Sequence, residues 1–364
     1  METFPVTFPI ARKTSLTQMS RRGETLATIK DVAALSGVAV STVSRTINAH
    51  PDVSAETRAK VMAAVRELRY VPNISARDLV QTQAKHLGVV IRGAENTFYT
   101  PIVRAIGQRI DHAGYTMVID QLEFDSDEVA AAAALAQSKR LRGVILLGGR
   151  FDYNPEDIAS IGVPVICCTH ANQFGSLDER CYSSVAIDDE ATAFQATKKL
   201  IELGHKHIAV LLSATDDHSI SELRYHGYCC ALREAGLTVD ENLVVHALDF
   251  SLEAAYSGIR TLIQNHPEVT ALFAVSDSLG IAALKGLHDE GVIVPQEFSL
   301  IAIDGIELSY FAIPTLTTLV QPQIELGELA VDTLLSMLNK EDFTRHIRVE
   351  TYLRKGGTIA PVAS

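Results

Sequence analysis

"GVAVSTVSRTIN", residues 37–48, opens on a glycine and then places Val40, Ser41, Ser44 and Arg45 on one side of any helix it forms. Val43 and Ile47 fall on the other side at helical spacing. A helix this short is marginal alone, so its apolar face needs a neighbour. The preceding residues supply one. Thr28 and Asp31 stand at capping-box spacing, and Val32, Ala33 and Leu35 form a short apolar stripe. Ser36-Gly37 ends the run, because glycine enters the left-handed turn without strain. Downstream, "AHPDV" is a loop and Ser54 caps "AETRAKVMAAVRELRY", with Val61, Val65 and Leu68 on one face and Pro72 as the stop.

Helix, glycine turn, helix is the helix-turn-helix arrangement, whose second helix enters the major groove of DNA. This accounts for the polar face. Arg45 suits a bidentate bond to guanine, Val40 a thymine methyl, and Ser41 either a donor or an acceptor. Thr28, Thr42, Ser44 and Asn48 are residue types that hold phosphate oxygens. The competing reading of the bare pattern is a small helical bundle with a solvated face. Charge distribution bears on the choice. Residues 1–85 carry 12 Lys+Arg against 7 Asp+Glu, whereas the remainder carries 20 against 37, within a net charge of −12. A basic front on an acidic body suits nucleic acid at the front only, but a charged tail with a solvated surface gives the same balance, so charge alone leaves the choice open.

Residues 1–27 read as a disordered extension, with Met1 and Met19 both open as the start. The segment is broken by Pro5 and Pro9 and lacks a signal-peptide core; an organellar-type presequence is the alternative. No apolar run reaches the ~18 residues of a membrane helix, so a cytoplasmic, nucleoid-associated protein without membrane contact is expected. Cys167, Cys168, Cys181, Cys229 and Cys230 make an odd set without C-x-x-C spacing. They read as small buried hydrophobes rather than a disulfide or metal framework.

From Leu87 onward, short apolar runs alternate with amphipathic stretches. The runs are "LGVVI", "YTMVID", "GVILLG", "VPVICCT", "SSVAID", "HIAVLL", "LVVHALD", "ALFAVSD" and "FSLIAID". The helical stretches are 101–113, 127–139, 191–203, 222–235, 252–265, 278–290 and 324–339. Continuous apolar strands between helices predict parallel sheets covered on both faces, and their number suits two doubly wound lobes.

The stretch "TIKDVAALSGVAVSTVSRTINAHPDVSAETRAKVMAAVRELRYVPNISARDL" resembles the headpiece of the lactose-repressor (LacI) family of bacterial transcriptional regulators. The resemblance continues through "LRGVILLG", "ELGHKHIAVL", "RYHGYCCALREAGL" and "VSDSLGIAALKGLHDEGVIVPQEFSLIAIDGIELSYFAIPTLTTLVQP". It implies an α/β chain: an all-α helix-turn-helix headpiece (28–72), a hinge (73–85), and a two-lobed, doubly wound, periplasmic-binding-protein-like effector domain (86–364). The first lobe would take about 86–188 and 321–344, the second about 189–320 and 345–364. By the resemblance, Val40, Ser41 and Arg45 read bases. Leu79 wedges into the minor groove, which Asn73, Ser75, Ala76 and Arg77 line. Ala39 stands where the family usually has a capping serine, and Asp78 is unusual near phosphates.

Ligands in open α/β sheets bind outside the carboxyl ends of the strands. That rule selects Phe98, Tyr99, Thr169, His170, Asp216–His218, Asp249, Phe250, Ser276, Asp277 and Asp304. Asp277 reads better as the cap of a helix starting at Ser278. Resemblance assigns Arg224 and Asp304 as the leading effector contacts, with Phe98, Tyr99, Phe250 and Ser276 secondary. Family carboxylates are replaced by Thr169 and Gly305, and His170, His218 and His226 enrich the pocket in imidazole. His205 and His207 are not expected to hold a metal. Catalytic motifs such as G-x-S-x-G, a P-loop or H-E-x-x-H do not occur. The expectation is a non-enzymatic regulator without cofactor: a homodimer on double-stranded palindromic operator DNA, governed by a sugar or sugar derivative. A purine or other metabolite effector is the alternative.

Overall fold

A computed structural model describes residues 27–47, 50–70, 85–93, 95–216, 218–339 and 344–362, which fall into two compact units, 27–70 and 85–362. The sequence readings at residues 1–26, Asn48, Asn73, Ser75, Ala76, Arg77, Asp78 and Leu79 lie outside the described residues.

The first unit holds α1 (Ile29–Ser36), α2 (Val40–Ile47) and α3 (Ala55–Glu67). Thr28 and Asp31 close a reciprocal capping box, and Gly37 at φ 68° ends α1. Val32, Ala33, Val43, Val61 and Ala64 form the core, edged by Ile29, Ile47, Val65, Leu68 and Tyr70. Leu35, expected in the stripe, is instead 46% exposed. Thr46 takes the inward position no apolar scan would choose, its hydroxyl donating to the Thr42 carbonyl. α3 ends at Glu67, short of the predicted Pro72 stop. Tyr70 N–H donates to the Val65 carbonyl and Arg69 N–H to that of Arg66, a Schellman closure with Arg69 left-handed at φ 46°.

The second unit contains two six-stranded sheets. In chain order the first lobe contributes β1 (His86–Arg92), α4 (Tyr99–His112), β2 (Thr116–Leu122), α5 (Glu128–Lys139), β3 (Gly143–Leu147), α6 (Pro155–Ile161), β4 (Val165–Cys168) and β5 (Ser183–Ala186). The second contributes α7 (Asp189–Glu202), β6 (Ile208–Leu212), α8 (Ile220–Glu234), β7 (Val244–His246), α9 (Leu252–Asn265), β8 (Ala271–Ala274), α10 (Asp277–Asp289), β9 (Ser299–Asp304), α11 (Glu307–Phe311) and β10 (Thr317–Val320). The chain then returns through α12 (Gln323–Leu338) and β11 (His346–Arg348) before ending its strands at β12 (Tyr352–Arg354).

Strand orders are β11-β5-β4-β3-β1-β2 and β12-β10-β9-β8-β6-β7. All pairings are parallel except β10 with β12. The nine predicted strands are present. Scanning for continuous apolar runs missed β10, whose first half is Thr317-Thr318, and the edge strands β11 and β12. It also missed the short α6 and α11. The lobe boundary needs one correction: β11 pairs with β5 of the first sheet, so the third crossing follows Arg348 rather than residue 344. α12 lies on the first lobe, burying Leu326, Ala330, Val331 and Leu334 against Ile102 and Ile106.

Cys167 and Cys168 enter the cores on opposite faces of the first sheet, as alternation along a strand requires. Cys181 and Cys230 are exposed, contrary to the expectation that all five are buried. Cys229 and Cys230 sit on helix α8, where adjacent residues diverge and only one meets the core. No helix among the described residues is long and apolar enough to cross a membrane.

Candidate functional site

In the first unit, α2 presents Val40 (41% exposed), Ser41 and Arg45 outward, with Thr42 and Ser44 at the margin. The face is held from behind by Val43 and Thr46, so its orientation is set by core packing. Ala39 supplies the N-terminal carbonyl that accepts from Thr42 and Val43, but no capping side chain. Thr28 is engaged with Asp31 and remains exposed on the same unit. Arg58 anchors the following loop by donating to the His50 carbonyl. The helix thus offers one arginine, small hydroxyls and one branched apolar group, the set suited to base edges in a major groove.

In the second unit, the strand ends of both sheets open on a cleft of about 870 Å³. The first lobe lines it with Arg92, Phe98, Tyr99, Phe124, Phe151, Thr169 and His170. Gly148 is required there: at φ 65° a side chain would strike the Tyr99 hydroxyl and the Arg92 carbonyl. The second lobe contributes Arg224, Asp249, Phe250, Ser276, Asp304 and, from the end of β10, Gln321. Thr169, Asp249, Phe250 and Asp304 all carry positive φ, at 72°, 56°, 55° and 134°. Such strain in non-glycine residues gathers at functional sites.

Arg224 and Asp304 are both buried and form the centre of the second-lobe wall. Arg224 Nε donates to Asp189 Oδ1 at 2.9 Å, and Nη1 reaches the Val275 carbonyl and, at 3.5 Å, Asp304 Oδ1. Gln321 Nε2 donates to the same Asp304 oxygen at 2.8 Å. Burial pushes the Asp304 carboxyl up to about 7; Arg224 opposes that shift and Asp277 adds to it. Across the cleft, His170 Nδ1 lies 3.2 Å from the Cys168 carbonyl and Nε2 lies 3.2 Å from the Tyr153 hydroxyl. Burial lowers His170 to about 4, so this wall presents a neutral imidazole at pH 7.

Most of the predicted effector residues converge: Phe98, Tyr99, Thr169, His170, Arg224, Phe250, Ser276 and Asp304 line the cleft. His218 does not. Its ring is half exposed, 4.8 Å from the Phe174 ring centroid and 3.3 Å from Glu222. His226 is exposed on α8, where helical phase turns it away from Arg224 and the pocket. Asp277 does not cap α10; Ser276 does, accepting from Leu279. Asp277 is the first helical residue and accepts instead from Gly305 N–H, Ile306 N–H and the Ser309 hydroxyl. Gly305 itself leaves no room for an acid, since a Cβ would lie 2.6 Å from Val320. His205 bonds Thr270 and the Ala360 carbonyl, a structural role.

Sequence reasoning missed Arg92, Phe124, Asp189, Phe151 and Gln321. Arg92 ends β1 and was within reach of the strand-end rule. Gln321 was hidden with its threonine-rich strand, and Phe124 stands two residues beyond β2.

The two units match two family models. Residues 28–73 match bacterial regulatory proteins of the lacI family, and residues 197–359 match the periplasmic binding protein-like domain. The HTH-type transcriptional regulator MalR of Clostridium butyricum is 37% identical over 89% of this chain and 97% of its own. Among solved structures, the transcriptional regulator CelR–cellobiose complex aligns with TM-score 0.67 at 30% identity, covering 91% of this chain and 99% of that one. The lac repressor dimer bound to operator and the anti-inducer ONPF aligns with TM-score 0.76 at 26% identity, covering 93% and 100%. The arrangement is that of a DNA-binding transcriptional regulator with a periplasmic-binding-protein-like effector domain. The chain belongs to the LacI family, whose members regulate transcription rather than catalyse reactions.

Proposed function

We propose that this chain represses a carbohydrate-use operon as a homodimer on a palindromic operator, with a small sugar-like effector in the cleft controlling DNA affinity. The carrying observation is the cleft itself. The Arg224–Asp304–Gln321 group of one lobe faces the Thr169–His170 wall of the other across 870 Å³ of space. A carboxylate and an amide beside an arginine suit hydroxyl groups, and the aromatic walls suit the apolar face of a sugar ring. CelR, so similar in architecture, was captured with cellobiose.

Support for the dimer comes from an apolar patch around α11. Tyr310, Phe311 and Ile313 are 59%, 68% and 95% exposed, close in sequence and uncovered by the chain's own core. Such a patch is what a second copy would bury, and the lac repressor of matching fold is a dimer on operator DNA. Two copies present two α2 helices to two half-sites, so the operator mirrors the protein's twofold axis. Val40, Ser41 and Arg45 then read bases while Thr28, Thr42 and Ser44 meet phosphates.

The test is selection of sites from random DNA by the full chain. The expected product is an inverted repeat. Arg45→Ala should lose preference for it while keeping weak, salt-sensitive binding to random DNA, because phosphate contacts survive without base contacts. Equal loss on both would remove Arg45 from base reading.

A further inference from the structure

We infer that the cleft is built for a neutral oligosaccharide of at least two rings, one held at the Arg224–Asp304–Gln321 floor and the next lying against Phe124 and Phe250 at the mouth. This rests on the sugar-effector reading above and specifies its ligand.

Three observations carry it. The first is room. At about 870 Å³ the cleft is near the upper end of the range of ~300–1,000 Å³ typical of small-molecule sites. A single sugar ring seated at the floor would leave most of that volume to water.

The second is the division of the lining by depth. Phe98, Phe151, Thr169, His170, Arg224, Ser276, Asp304 and Gln321 are buried and form a polar floor with aromatic sides. Thr97, Gln121, Glu123, Asp249, Leu252 and Leu308 are exposed and form the rim. Between the two zones stand Phe124 and Phe250, both half-buried, from opposite lobes, with ring centroids 5.7 Å apart in an edge-on arrangement. The Arg92 guanidinium lies 4.9 Å from the Phe124 centroid. This is a platform of two rings and a planar cation: aromatic faces for the C–H side of a pyranose, and N–H donors for its hydroxyls. Phe250 holds its place through a left-handed backbone, φ 55°, rather than through the core alone.

The third is charge. Among the described cleft-lining residues the permanent cations are Arg92 and Arg224. Arg224 is committed to Asp189 and Asp304, and Arg92 stands 3.5 Å from Glu128. Glu95, Glu123 and Asp249 ring the mouth as exposed acids. A phosphorylated sugar would enter against like charge and find no unpaired cation. A neutral chain of rings meets neither obstacle.

The experiment is calorimetric titration of the full chain with neutral di- and trisaccharides, their constituent monosaccharides, and glucose 6-phosphate. Phe124→Ala and Phe250→Ala are run beside the native chain. A disaccharide or trisaccharide should bind at least tenfold more tightly than any of its single rings or the phosphate. Each alanine variant should lower that affinity by about three- to tenfold, the loss of one aromatic partner, and should lower monosaccharide affinity by less. A monosaccharide or glucose 6-phosphate binding as tightly as any longer sugar overturns the inference but leaves a sugar-controlled regulator standing. So does an oligosaccharide affinity that neither variant alters. Silence across the whole panel contradicts the sugar reading itself, and this inference with it.

Discussion

Glu128 opens α5 in the first lobe and Asp277 opens α10 in the second, and both are fully buried carboxylates at a helix N-terminus, where the backbone dipole favours negative charge. Each ties down a loop that reaches the cleft. Glu128 accepts from Arg150 N–H and the Tyr153 hydroxyl, fixing the loop after β3. Asp277 accepts from two backbone N–H groups and Ser309, fixing the loop after β9. The cations beside both anchors are partly solvated. Arg92 and Arg150, beside Glu128, keep 14% and 38% of their side chains open to solvent. In the second lobe Arg354, 4.0 Å from Asp277, keeps 25% open, and a further, fully buried cation, Arg224, is held by Asp189 and Asp304. The first lobe therefore offers the cleft a neutral imidazole, His170, and an arginine, Arg92, paired with Glu128. The second offers it a charged, hydrogen-bonding floor. Shape comes from both lobes; most of the directional chemistry comes from the second.

The sharpest way to break this contrast is Arg224→Ala. It leaves Asp189 and Asp304 buried without their cation and should cost about 3–5 kcal/mol in urea unfolding of the full chain. A cost no larger than that of a surface substitution would show that the floor is not an ion-paired unit. Next in size are the paired anchors. Asp277→Leu should cost about 2–3 kcal/mol, since it leaves the three donors that converge on Oδ2 without an acceptor. Glu128→Met should cost about 1–2 kcal/mol, because it leaves two donors rather than three without an acceptor. The reverse order would mean that the number of donors held does not set the value of these anchors.

The smallest effect is one of pH. Burial holds the Asp304 proton up to about 7, and the ionised form is the better acceptor for sugar hydroxyls. Effector affinity should therefore rise as pH increases through about 7, approaching tenfold per unit only on the acid side. The stability sign is opposite. A carboxyl raised above its ordinary 3.8 contributes least penalty below that value and loses stability as pH climbs to about 7. Asp304→Asn should flatten both dependences; an unchanged affinity profile in that variant would move the titration elsewhere.

Local patterning separates what the sequence reveals from what only the fold brings together. α2 was legible because its two faces differ in residue type at helical spacing, and Val43 is buried as the spacing requires. The strand ends were legible because the runs of β4, β8 and β9 are short and almost wholly apolar, which places Thr169, His170, Ser276 and Asp304 at their carboxyl ends. Arg224 came from the family resemblance; nothing in the local pattern of α8 distinguishes an inward arginine. Asp277 was misread because capping preference is a local rule and its partners lie 28 to 32 residues away. Asp189, Glu128 and Phe124 were not seen at all, since their roles exist only through contacts across elements. His218 was selected by the strand-end rule, but it stands well past the end of β6 on a left-handed backbone, φ 50°, with its ring against Phe174.

The most direct test of the central claim, that a ligand in the cleft governs DNA binding, is fluorescence anisotropy of the selected operator against the full chain. Native protein and Asp304→Ala are titrated with the oligosaccharide found by calorimetry. The account predicts a dose-dependent change in operator affinity for the native chain, and undiminished operator binding without that response for Asp304→Ala. An identical dose response in both would contradict it.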